Sequence, residues 1–343
     1  MFLLRLLIIT LVITILFSVG ALFVYNKELD QNLNLPSDGL ILEIKKGETL
    51  NSVLSSLKEQ DVFESLWPAK IFARLNGYGS EIKAGEFQLS SPMSAPQLLK
   101  FISTNNQISY SIQFIEGSSY KEALLVLANH QKVLHSLNGL TDDEIAKKLN
   151  LEPSIHLEGQ FYPDTYFFHK GDTDLDILRR ANQRLNTILE EEWLARQKDL
   201  PLENAYQALI LASIIEKETG VPTERSEIAG VFIRRLQMKM RLQTDPTVIY
   251  GLGDSYQGNI TRKHLRQDTP YNTYRISALP PTPIALVGRA AIHAALNPKP
   301  GKSLYFVAKG DGSHYFSETI EEHNKAVRKY QLKRRSDYRS SAQ

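Results

Sequence analysis

Cysteine is absent from the 343-residue sequence. That excludes disulfides, thiolate zinc sites, thiol nucleophiles and an acylated cysteine anchor, and it suits an oxidising compartment where stray thiols would pair wrongly. A dominant charge is missing too. The chain has 40 Lys and Arg against 38 Asp and Glu, a net of +2, so no strong field favours a polyanion and nucleic acid is not an expected partner. The patterns H-E-x-x-H, G-x-S-x-G and G-x-x-x-x-G-K-[ST] do not occur, which removes the key residues of zincin, serine-hydrolase and P-loop chemistry. The 8 histidines are scattered, and His314 and His323 are the only late ones near possible site segments. Neither a metal nor a cofactor is expected. Long apolar runs are also scarce, and the single exception is informative.

Residues 6–25 read LLIITLVITILFSVGALFVY, uncharged and mostly apolar. This is the length needed to cross the hydrocarbon core of a bilayer, about 20 residues. Arg5 precedes the run, and Lys27, Glu28 and Asp30 follow it. By the positive-inside rule residues 1–5 stay cytoplasmic and the remainder is exported from the plasma (inner) membrane, to the periplasmic or extracytoplasmic side. A cleaved signal peptide is the competing account, since Ser18, Gly20 and Ala21 are small. The run is long for such a peptide, however, and no A-x-A site closes it, so a retained anchor is expected.

The rest has ordinary globular composition, 42% hydrophobic and 23% charged, and a length suited to about two domains. Residues 26–39 are polar and turn-rich and read as a stalk. Residues 40–106 form a small α+β unit: a strand at 40–44, a helix from 50, a second at 69–75, a return strand at 85–89 and a helix at 92–102. The GETL opening at 47–50 resembles that of a LysM module, a βααβ fold that binds N-acetylglucosamine in peptidoglycan. A plain α+β spacer is the alternative. Residues 107–335 form a larger mixed α/β domain, with a strand at 110–115, a helix at 120–129, an aromatic turn segment at 158–166 and a long amphipathic helix at 172–197. A basic tail, 336–343, follows Lys333, Arg334 and Arg335 and includes Arg339. The fold class is α+β, behind a single transmembrane helix.

The chemistry concentrates between 204 and 251. The spacing predicts a helix running to Thr219, closed by Gly220 and Pro222, and carrying Glu216 and Glu218. Residues two apart on a helix point about 200° apart, so the two carboxylates occupy different faces. Glu218 follows Ile214 by four residues and Leu211 by seven, which extends the apolar stripe, whereas Glu216 aligns with Ala212 and Ser213. Burial raises a carboxyl pKa, and a proton retained near neutrality is what a general acid needs to protonate a glycosidic oxygen. Spacing alone leaves a second account open, in which Glu218 is the structural partner of a base such as Arg225 or Arg234. Downstream, Gln243, Thr244 and Asp245 offer hydrogen-bonding groups, and Tyr271, Asn272 and Tyr274 set aromatics beside an amide. This combination suits stacking on sugars and bonding to their hydroxyls and N-acetyl groups. Each cluster is also compatible with ordinary turn chemistry.

These residues together resemble the endolytic murein transglycosylases (MltG-type, YceG-like). The likeness rests on ASIIEKET at 212–219, RLQTDPTVIYG at 241–251, YNTY at 271–274, LPP at 279–281, NP at 297–298, YFVA at 305–308 and HN at 323–324. Upstream it includes EG at 116–117, EG at 158–159 and PDTY at 163–166. The resemblance implies one catalytic glutamate, the second of the EKET run, Glu218. It implies a reaction in which that acid protonates the oxygen between N-acetylmuramic acid and N-acetylglucosamine. The same group then takes the proton of the muramoyl 6-hydroxyl, closing a 1,6-anhydro ring. Peptidoglycan glycan strands are the implied substrate, and peptidoglycan synthases at the membrane the implied neighbours. Two alternatives stay open: a hydrolytic muramidase using Asp245 as base or nucleophile, and a non-catalytic wall-binding scaffold.

Overall fold

A computed structural model describes residues 2–152 and 155–332. The basic residues Lys333, Arg334, Arg335 and Arg339, with the tail 336–343, lie outside the described residues. In chain order the elements are α1 (Phe2–Asp30), β1 (Leu40–Ile44), α2 (Leu50–Glu59), α3 (Trp67–Leu75), β2 (Gly85–Leu89), α4 (Ala95–Ser103), β3 (Ser109–Gln113), α5 (Tyr120–Ala128), α6 (Asp142–Lys148), β4 (Thr165–His169), α7 (Asp174–Leu194), α8 (Ala205–Glu218), α9 (Arg225–Gln237), α10 (Asp245–Leu252), α11 (Arg262–Arg266), α12 (Arg289–Leu296), β5 (Tyr305–Ala308), β6 (His314–Ser317) and α13 (Ile320–Val327). The chain divides into two compact units. One runs to Tyr110 and takes in Lys132–Leu134 and Phe167–Asp172; the other comprises Ser111–Gln131, His135–Tyr166 and the chain from Thr173 on.

In the N-terminal unit α1 is long enough to span a membrane, and its apolar side chains from Phe2 to Val24 are exposed. The helix continues past the apolar run to Asp30 and buries Leu29 in the folded core. The segment expected to be a stalk is packed instead. Leu33 and Leu35 enter the same core, Leu33 N–H donates to Met93 O at 2.8 Å, and Asn34 N–H to Val62 O at 3.1 Å. Two leucines spaced by one residue in an otherwise polar stretch are enough to draw the chain down.

The strand–helix–helix–strand order follows from local signals. β1 and β2 pair antiparallel, Leu40 opposite Leu89 and Ile44 opposite Gly85. Thr49 caps α2 by accepting from Ser52 N–H, and α2 turns Leu50, Val53, Leu54 and Leu57 inward. Ser94 and Gln97 form a capping box on α4, whose Leu98, Leu99 and Ile102 meet Phe87 and Leu89. Glu86, on β2, is the buried charge of this unit. Lys132 and Lys170 each donate to it at 3.0 Å, and the Tyr110 hydroxyl is a third donor. Burial alone would raise its carboxyl, but these donors outweigh that and hold it at about 2.

The second unit is built mainly of helices around α8. Ala208 to Ile215 are all buried, so α8 has almost no solvent face and packs against α7, α9 and α12. β5 and β6 form an antiparallel ribbon, Tyr305 opposite Ser317, and β3 pairs with β4. The sheets of the described residues are two-stranded, so the unit mixes helix and strand with helices predominating.

Replacing Glu86 by Gln removes the charge that Lys132 and Lys170 bond. We expect it to cost about 2 kcal/mol at pH 7, the scale of a hydrogen bond to a charged group. Because the native carboxyl lies below its unfolded value, this stability is present above the ordinary glutamate range and is lost as pH falls toward 2. Denaturant titrations of both proteins from pH 7 down to pH 2 should therefore converge at the acid end.

Candidate active site

The end of α8 places Glu218. The helix closes on it, and Thr219 turns extended at φ −145° and ψ 134°, one residue before the stop expected from Gly220. A core helix thereby delivers a carboxyl to its own last position. Glu218 keeps a reachable edge while protein surrounds it densely.

The hydroxyl of Thr244 donates to Glu218 Oε1. Thr244 caps α10 and is fixed by a cluster of buried hydroxyls. Its N–H donates to Thr273 Oγ1 at 3.0 Å, Thr247 Oγ1 donates to Thr244 O at 2.8 Å, and the Thr247 and Thr273 hydroxyls meet at 2.9 Å. The QTDPT and YNTY motifs are thus joined through threonines. Gln243 N–H donates to Thr273 O at 3.1 Å, and Gln243 holds φ at +52°, unusual for a residue with a side chain. Asp245 opens α10 and accepts from the Tyr274 hydroxyl at 2.7 Å.

Burial pushes the Glu218 carboxyl up to about 7. The charge of Asp245 adds to this, while the Thr244 bond and the charge of Arg235 restrain it. Glu218 is therefore protonated in a large fraction of molecules near neutral pH, the condition for a general acid that must later accept a proton.

The structure separates the two glutamates, but not by burial. Both lose solvent, and the ion pair that spacing offered Glu218 goes to Glu216. Arg225 Nη2 lies 3.2 Å from Glu216 Oε1, and Gly288 N–H donates to Oε2 at 2.9 Å. The Glu216 side chain is only 4% exposed, because α9 and α12 cover the face that spacing assigned to Ala212 and Ser213. Arg234 bonds the carbonyls of Ser303 and Lys299.

The expected sugar-binding residues divide. Thr244 bonds Glu218, and Asp245 and Tyr274 lie close enough to feel its charge, while the Gln243 side chain is exposed. Tyr271 packs edge-on against Tyr250 at 4.9 Å and bonds Thr282 at 2.9 Å. Asn272 is 1% exposed, and its amide donates to Gln267 O at 2.6 Å and reaches the His264 and Leu265 carbonyls, while Tyr274 N–H donates to its oxygen. Its polar atoms are spent on the loop, so the structure gives it a locking role rather than an edge open to a ligand.

Sequence reasoning did not single out Arg235. This buried cation donates from Nε to Leu304 O at 2.7 Å and from Nη1 to Leu242 O at 2.7 Å, lies over the Tyr305 ring, and feels Glu218. The available signal was a charge set among Phe232, Ile233 and Leu236. Beneath α10, Glu158 accepts from Tyr120 N–H at 2.9 Å and bonds the Tyr250 phenol, and burial raises its carboxyl. The neighbouring Gly159, at φ +75°, has no room for a side chain, since a Cβ there would lie 2.4 Å from Pro283.

Several buried carboxyls are raised here, and Glu218, raised to about 7 and bonded by a hydroxyl, is the one whose setting suits acid–base chemistry. The YceG-like family matches residues 42–329, and the chain belongs to that family. It is 32% identical over 330 residues to the endolytic murein transglycosylase of Bacillus subtilis, covering 91% of each chain. It is 25% identical over 364 residues to the endolytic murein transglycosylase of Streptococcus pneumoniae strain R6, covering 92% of this chain and 63% of that one. A crystal structure of a YceG-like protein from Listeria monocytogenes superposes with a TM-score of 0.54 at 31% identity, covering 84% of this chain and 99% of the other.

Two outcomes test this geometry. Arg225→Met leaves the Glu216 charge buried without its partner and should cost about 3–5 kcal/mol in denaturant unfolding. Thr244→Val removes a bond that favours the Glu218 carboxylate, so its pKa should rise, and the alkaline limb of the pH–rate profile should move to higher pH.

Proposed function

We propose that this protein is an endolytic murein transglycosylase that cleaves glycan strands of peptidoglycan through Glu218. The observation that carries the reading is the Glu218 carboxyl at the end of α8, bonded by Thr244 and titrating at about 7. Its proton passes to the oxygen between N-acetylmuramic acid and N-acetylglucosamine as the C1–O bond breaks. The carboxylate left behind accepts the proton of the muramoyl 6-hydroxyl as that oxygen bonds to C1. The product is a 1,6-anhydro end and no water is consumed, so one carboxyl serves as acid and then base. A group with a pKa near ambient pH is suited to both tasks. Asp245 and Tyr274 are the side chains we assign to the sugar, on the strength of their position near Glu218, together with the exposed Gln243 that precedes Thr244.

α1 as a single-pass anchor, with its N-terminus cytoplasmic, is supported by the apolar run and by Arg5 before it. The N-terminal unit's strand–helix–helix–strand order supports a LysM-like contact with glycan. A strand-cutting enzyme held at the membrane works where strands are synthesised, which favours peptidoglycan synthases as its neighbours.

Hydrolysis is the competing chemistry, favoured by Asp245, whose charge reaches Glu218. Mass analysis of purified sacculi after digestion separates the two. We expect 1,6-anhydro ends from the wild type, whereas reducing ends would establish a muramidase. Glu218→Gln should lower product release by at least about 10²-fold with the fold retained. Wild type that binds sacculi and releases nothing would point to a scaffold.

Glu218 also weakens the fold where it is ionised. Its native pKa lies above the unfolded value, so stability is full below the ordinary glutamate range and declines as pH rises to about 7. Glu218→Gln should therefore melt at a higher temperature than wild type at pH 8, with the gap closing at pH 4.

A further inference from the structure

The helix α3 has an outer face unlike a soluble surface. Trp67, Lys70, Ile71, Arg74 and Leu75 are all exposed and recur at helical spacing, so they form one stripe, while Pro68, Ala69 and Ala73 face the core. Single exposed apolar residues are ordinary. Here Trp67 is 43% exposed, Ile71 43% and Leu75 76%, at successive turns of one short helix. Two cations alternate with them, the pattern of a helix that lies in a membrane interface.

The position of the stripe identifies what covers it. Tyr25 ends the apolar run of α1, at the level where a span leaves the hydrocarbon, and its ring centroid lies 5.8 Å from that of Trp67. Tyrosine and tryptophan concentrate at that level in membrane proteins. α1 is packed on α3 and anchored in the same core by Leu29, so no loose linker separates the span from the stripe.

We propose that the outer face of α3 rests on the leaflet from which α1 emerges. Trp67, Ile71 and Leu75 enter the acyl boundary, and Lys70 and Arg74 meet anionic phospholipid headgroups. This rests on α1 being the membrane span. The apolar side chains leave water, while the long basic side chains keep their charges at the headgroups. The N-terminal unit is thereby docked on the bilayer as well as tethered to it.

The absence of cysteine allows a direct test with single nitroxide labels. The full chain is reconstituted in vesicles of phosphatidylethanolamine and phosphatidylglycerol, labelled at Ile71→Cys or Leu75→Cys, or at Leu194→Cys on exposed α7 as the aqueous control. At 71 and 75 we expect collisions with oxygen to exceed those with a water-soluble nickel chelate, and the reverse at 194. An aqueous ratio at 71 and 75 overturns the proposal, as does spin–spin broadening there, which would make a second copy the occupant. Carbonate extraction in parallel separates the premises. Protein released from the vesicles removes the span and this inference with it, whereas protein retained with aqueous labels removes the docking alone.

Discussion

The constraint on which the catalytic unit depends is that α8 has almost no solvent face yet ends on a carboxyl. A helix buried along most of its length cannot shift to bring its last residue fully into water, so Glu218 keeps only an edge to solvent and remains where ionisation is costly. The neighbouring elements compensate in part. Thr244 supplies one hydrogen bond and Arg235 a positive charge, enough to bring the group near neutrality without ionising it outright. The threonine cluster then does more than pack, since Thr247 and Thr273 fix the residue whose hydroxyl bonds Glu218. Arg235 braces the approach to Thr244 through Leu242 O and supplies its charge from the same position. Positioning and electrostatics are here done by one set of side chains.

Glu216 shows how a fold keeps two neighbouring carboxylates apart in function. It lies within a turn of Glu218 and is also buried, but Arg225 and the Gly288 N–H satisfy it. An ion pair of this kind fixes the junction of α8, α9 and α12. The difference between the glutamates is therefore one of bonded partners: a cation for Glu216, a neutral hydroxyl for Glu218.

Much of this was legible in the sequence, for identifiable reasons. The strands at 40–44 and 85–89 are bounded by turn residues, and the first alternates in burial from Ile41 on, so local pattern was sufficient. Register with Leu211 and Ile214 set Glu218 on the apolar face, while its catalytic role was implied by the family resemblance. The burial of Glu216 was not legible, because the surfaces that cover it come from α9 and α12, remote in the chain. Asn272 was misjudged for a similar reason: its composition suits a sugar amide, but its partners are backbone carbonyls at 264, 265 and 267, which no side-chain pattern announces. Arg235 escaped notice because carbonyl acceptors leave no trace in residue identity.

The continuity between α1 and the folded core has a consequence for reach. A flexible linker would let an anchored domain explore a volume that grows with linker length and dilute it accordingly. Here Leu29, Leu33 and Leu35 remove that freedom, so with α1 as the proposed span the N-terminal unit would be confined to a thin layer next to the bilayer. Within that layer its effective concentration toward wall polymer is high, and beyond it falls to nothing. On the proposed function, depth in the wall, rather than chemistry alone, would select which strands the protein meets.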